Sequence, residues 1–76
     1  MILEDMIITV EDKRYIVIEN VNYENKNYVY LVNETDQLDT IFQEIDLENK
    51  NLKPIETGLF VNIIFPLFKE KFENYE

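Results

Sequence analysis

The sequence predicts an α+β fold: an antiparallel β-meander of four to five strands packed against one C-terminal amphipathic helix. Three observations predict it. Through the first half, β-branched and aromatic residues gather in short runs bounded by Asn, Asp and Lys. After Thr57 the apolar spacing changes to three and four residues. The chain has 76 residues, 46% of them hydrophobic, which is enough for one core and one domain spanning residues 1–76.

The first three strands are expected at residues 6–10, 15–19 and 28–32. Asp12-Lys13 is expected to turn the first hairpin. It lacks the Asn-Gly or Asp-Gly signature, so its turn type stays open. Tyr23 and Tyr28 flank the second turn, Glu24-Asn25-Lys26-Asn27, where Asn tolerates a left-handed backbone in a chain with a single glycine. Tyr28, Tyr30 and Val32 then share one sheet face, with Val29 and Leu31 on the other. Both faces carry apolar groups, so one packs on the helix and the other is partly exposed or covered by a partner.

Thr40-Ile41-Phe42-Gln43-Glu44-Ile45 reads as the fourth strand and Glu48-Asn49-Lys50-Asn51 as the turn after it. Residues 52–55 are the candidate fifth strand, held to an edge by Pro54. From there Phe60, Ile63, Ile64, Leu67, Phe68, Lys71, Phe72 and Tyr75 follow helical spacing, with Thr57 as the expected N-cap. Pro66 falls on the opposite side of that stripe, where a bend tolerates it. Leu59, Val61 and Phe65 widen the apolar surface beyond one stripe and are the candidate oligomer interface, unless the sheet curls to cover them. Glu70, Glu73 and Glu76 crowd the C-terminal end, where the helix dipole disfavours anions.

Composition excludes more function classes than it selects. Without Cys or His there is no disulfide framework, thiol chemistry, imidazole base or ordinary zinc site. The lone glycine, Gly58, rules out a glycine-rich phosphate loop. The seven basic residues are scattered among sixteen acids, and a net charge of −9 repels nucleic-acid phosphates and anionic membranes. The acidic start Met1-Ile2-Leu3-Glu4-Asp5 does not resemble a signal peptide, and no apolar run approaches membrane length. The expectation is a cytoplasmic protein without cofactor or bound metal, not an enzyme, since a small sheet with one helix offers no deep cleft to shift a carboxyl pKa.

Acidity is the feature that points outward. Residues 34–48 hold Glu34, Asp36, Asp39, Glu44, Asp46 and Glu48 with no basic residue. These six are the candidate partner-binding residues. Glu34-Thr35-Asp36 and Asp46-Leu47-Glu48 have a spacing at which alternate carboxylates can reach one calcium ion, but neither has the glycine and distal glutamate of an EF-hand loop. A solvated edge whose charge blocks aggregation is the simpler account.

The stretch Val21-Asn22-Tyr23-Glu24-Asn25-Lys26-Asn27-Tyr28-Val29-Tyr30-Leu31 resembles a family of small acidic domains of unknown function from low-GC Gram-positive bacteria and their phages. The resemblance extends over the strand at 15–19, the strand at 41–45, Leu52-Lys53-Pro54-Ile55 and the terminal helix. It is one of hydrophobic pattern and turn residues, and it implies no catalytic activity. Pro66 and the aromatic load of the helix depart from it. The functional expectation is a non-enzymatic protein-interaction module that presents acid to a basic protein surface. Its sharpest form is a phage-type inhibitor that occupies a nucleic-acid-binding groove as a mimic. The alternative is a small homo-oligomeric adaptor or structural protein, a dimer for instance, whose acidity only keeps it soluble.

Overall fold

The computed structural model describes residues 6–49 and 51–73. Five strands, β1 (Ile7–Val10), β2 (Lys13–Tyr23), β3 (Lys26–Asn33), β4 (Thr40–Asp46) and β5 (Asn51–Lys53), form one antiparallel sheet in sequential order. The helical segment follows as α1 (Thr57–Leu59), a π-helical turn (Phe60–Ile64) and α2 (Phe65–Glu73). The α+β meander with one C-terminal helix is therefore the architecture of the chain. The expectations that fall on residues 1–5, Lys50, Tyr75 and Glu76 lie outside the described residues.

The turns that join β1 to β2 and β2 to β3 are each two residues long. Glu11 and Asp12 have φ of 49° and 67°, and Glu24 and Asn25 have φ of 51° and 65°. Two successive left-handed residues make a type I′ turn, whose twist matches the strands it joins. The first turn is thus Glu11-Asp12 instead of Asp12-Lys13, and the second is shorter than expected, with Lys26 and Asn27 already in β3. Asn25 takes the left-handed backbone expected of Asn in the second turn, whereas Glu11, Asp12 and Glu24 are acidic side chains in a backbone that Gly and Asn adopt more easily, and their identity gave no sign of it.

A β-bulge between Val17 and Glu19 organises the two cores. It shifts the pairing so that Val17 opposes Leu31 while Glu19 opposes Tyr30. Before the bulge, Tyr15 and Val17 lie on the Val29–Leu31 face; after it, Val21 and Tyr23 lie on the Tyr28–Tyr30 face. On the first face Val17, Val29 and Leu31 are completely buried without any helix over them. Ile8 and Val10 of β1 and Leu52 of β5 pack onto them, so the sheet curls and its end strands cover that face. On the second face Ile64 and Phe68 are fully buried against Val21 and Tyr28. Phe42 stands at the middle of a ring cluster there, with Tyr30, Phe60 and Phe68 centred within 5.0 Å of it.

Glu56 caps the helix, in place of Thr57. Its carboxylate accepts from the N–H groups of Gly58 (3.0 Å) and Leu59 (2.8 Å), donors that have no partner inside the helix. Gly58 leaves room for this: a Cβ there would lie 3.2 Å from the Glu56 carboxylate oxygen. The two donors hold the Glu56 pKa below its ordinary value, Leu59 more than Gly58. Pro66 is the second residue of α2, directly after the π-helical turn, in which the Phe65 N–H bonds the Phe60 carbonyl. Widening that turn relieves the clash of the proline ring with the carbonyl four residues back. The expected bend is thus a π-turn, and Pro66 itself is exposed. The candidate fifth strand is displaced toward the N-terminus, ending at Lys53 with Pro54 just beyond it.

Candidate functional site

The most elaborately built surface feature is the loop 34–39 between β3 and β4. Asn33, which is buried, anchors it from below. Its backbone N–H donates to the Asp39 carbonyl (2.9 Å), which closes the loop, and the Asp39 N–H donates to the Asp36 carbonyl (3.0 Å). The Asn33 side-chain oxygen accepts from the Thr35 N–H (2.8 Å) and hydroxyl (3.1 Å), while its amide nitrogen donates to Asp39 Oδ2 (3.0 Å). The Tyr15 hydroxyl donates to the same oxygen (2.7 Å), tying the loop to β2. Asp36 accepts from the Leu38 N–H (3.1 Å). The Glu34 N–H donates to the Arg14 carbonyl (2.8 Å), and its carboxylate pairs with Arg14 Nε at 3.1 Å.

These contacts set the ionisation of the clamp. Hydrogen bonds from Asn33 and then Tyr15 hold the Asp39 carboxyl below the ordinary range. Sharing its proton with that carboxylate pushes the Tyr15 phenol up from its ordinary value, with burial adding to the effect. Asp39 is therefore half-buried and engaged, whereas Glu34, Asp36 and Leu38 face outward. Leu38 is 93% exposed. Sequence reasoning passed over it because an isolated Leu between acids carries no pattern. The Glu11-Asp12 turn lies at the same end of the sheet, where Asp12, Lys13, Arg14, Asn33, Glu34 and Thr35 line an open recess.

The other candidate acids lie elsewhere. Asp46 ends β4 and Glu48 lies in the turn beyond it, on the order of 20 Å away at 3.3 Å per residue. Asp46 braces its own turn, accepting from the Glu48 N–H (3.1 Å), the Asn49 N–H (3.3 Å) and the Asn49 amide (2.9 Å). The Asn49 bonds lower its pKa. Glu44 is half-buried on the helix-facing side of β4, paired across the ladder with Lys53. The six acids thus divide between two ends of the sheet instead of sharing one surface. Among the described residues no group of three acidic side chains converges so as to hold a metal ion.

Of the three candidate oligomer residues, Leu59 packs into the helix-side core, while Val61 and Phe65 stay 59% and 43% exposed. Phe65 touches the ring cluster only at its rim, 5.7 Å from Phe60 and 6.1 Å from Phe42. Among the described residues no helix is long and apolar enough to cross a membrane. No family model, curated protein or solved structure matches the chain.

Proposed function

We infer that the protein is a non-enzymatic interaction module that docks on a basic surface of another cytoplasmic protein through the loop 34–39. The observation that carries this reading is Leu38, 93% exposed on a loop whose backbone is fixed from both sides. A pre-ordered loop loses little conformational freedom on binding, and an apolar side chain held clear of the core is the kind of group that anchors an interface. Glu34 and Asp36 beside it select a partner with basic groups around an apolar recess and speed the encounter at low salt.

The sharper form of this reading is a phage-type inhibitor whose carboxylates occupy a nucleic-acid-binding groove. The net charge of −9 and the acidic residues at both ends of the sheet support it. It is tested by adding excess protein, at low salt, to a panel of complexes of basic proteins with labelled DNA or RNA. Release by the wild type, reduced at least tenfold in Glu34→Gln/Asp36→Asn/Leu38→Ala, is the expected result. No release from any complex removes groove occupation, and equal release by both proteins removes the role of the loop.

Exposed Val61 and Phe65 favour a second reading, a homodimer through the helix. Screening of the −9 charge should tighten such a dimer as salt is added. Light scattering that gives a monomer at high concentration in both low and high salt removes it.

A further inference from the structure

The two edges of the sheet are unlike each other. β5 is three residues long, contains Lys53 and runs into Pro54, all features that discourage pairing with another strand. The β1 edge, four residues long, has neither a lysine nor a proline. Residues 6–10, Met-Ile-Ile-Thr-Val, contain no charge and no proline, and Met6 and Ile7 are 39% and 48% exposed.

The ladder fixes which main-chain groups this edge offers. Met6 accepts from the Val17 N–H at 2.9 Å, and the register continues as Ile8 opposite Tyr15 and Val10 opposite Lys13. In an antiparallel pair the hydrogen-bonded positions alternate, so Met6, Ile8 and Val10 bond inward while the N–H and C=O of Ile7 and Thr9 point away from β2. The side chain of Ile7 ends a cross-strand row with Ile16 and Val32, both half-buried. An apolar residue opposite Ile7 on an added strand would lengthen that row.

Charge decides between occupants. Glu4 and Asp5 precede the uncharged run and Glu11 and Asp12 follow it. A second copy pairing antiparallel would set each acidic pair against the other's, which opposes self-association. We propose that the β1 edge takes up an extended segment of another protein, apolar at its centre and basic at both ends, as an added antiparallel strand. This goes beyond docking through the loop 34–39, because it uses main-chain pairing at a different part of the sheet.

The test uses the whole chain, labelled with ¹⁵N, and a synthetic peptide with an alternating Val/Thr centre and two lysines at each end. The expected result is that hydrogen exchange at the Ile7 and Thr9 amides slows at least tenfold on saturation. The same peptide N-methylated at alternate amides should leave exchange unchanged, and a glutamate-ended version should bind at least tenfold more weakly. Thr9→Pro removes an outward N–H without touching the β1–β2 ladder and should abolish uptake, whereas Glu34→Gln/Asp36→Asn/Leu38→Ala should not affect it. The methylated peptide keeps the test independent of whether Thr9→Pro folds. No added protection of Ile7 and Thr9 up to millimolar peptide overturns the proposal. So does equal binding of the methylated peptide, or a peptide-free dimer that already protects those two amides.

Discussion

The Asp39 carboxylate works mainly inside the molecule. Two hydrogen bonds stabilise its charged form and lower its pKa, so its contribution to stability is present above the ordinary carboxylate range and is lost as pH falls through the lowered value. Tyr15 has the opposite sign: its raised pKa makes its contribution complete below about pH 10 and lost as pH rises beyond the folded value. The difference in melting temperature between wild type and Tyr15→Phe should therefore be greatest near neutrality and shrink toward both pH extremes. A difference unchanged on acidification would show that the Tyr15–Asp39 bond does not brace the loop. The same scale holds a stored strain. Glu24 and Asn25 both adopt left-handed backbone, and replacing them by Asn and Gly should stabilise the fold by about 1 kcal/mol in denaturant melts. Loss of stability there would mean that the turn is not type I′.

The helical segment makes its principal attachment through few side chains. Phe68 is fully buried, so Phe68→Ala should cost about 3–5 kcal/mol, a large part of the roughly 4–11 kcal/mol available to a chain of this size. Phe65→Ala removes only rim contacts and should cost about 1 kcal/mol or less, as read from urea midpoints. Equal losses at the two positions would mean a rotated helix. Lys71 adds a polar attachment, donating to Glu19 (3.3 Å) and to the Asn20 carbonyl (2.6 Å). Glu19 is buried and Lys71 is half-exposed, so Lys71→Met should destabilise by about 1–2 kcal/mol through loss of the two bonds that the ammonium donates.

Much of this element order was legible from the sequence. The runs at 15–19, 28–32 and 40–45 have the composition of strands and lie within β2, β3 and β4, and the helical spacing after Thr57 marks the terminal helix. The continuation of β2 to Tyr23 was not legible, because Glu19-Asn20 interrupts the apolar alternation. Lys71, 52 residues away, pairs with Glu19 across that interruption, and the bulge there carries no residue signature. Pro66 read as a bend because a π-turn depends on carbonyl spacing, not on side-chain pattern. At the candidate site the acidic composition was visible. Its division between the two ends of the sheet was not, since β4 separates residues that are close in sequence.

At the scale of the whole molecule, acidic side chains stand at both ends of a curled sheet, and they have different duties. Asp39 and Asp46 fix their own loops, so neutralising them alters structure along with charge. Glu34, Asp36 and Glu48 are more exposed; Asp36→Asn keeps the oxygen that accepts from the Leu38 N–H, and Glu34→Gln gives up the ion pair with Arg14, so these substitutions probe charge with less change to the loop. Leu38→Ala should leave stability within about 0.5 kcal/mol, since nothing buries that side chain. The most direct measurement is affinity capture at low salt from a lysate of the organism that encodes the protein, comparing wild type, Glu34→Gln/Asp36→Asn/Leu38→Ala and Glu48→Gln at matched stability. The expected result is one or more basic proteins retained by the wild type and by Glu48→Gln and lost from the triple variant. Retention of the same proteins by all three would contradict docking through the loop 34–39.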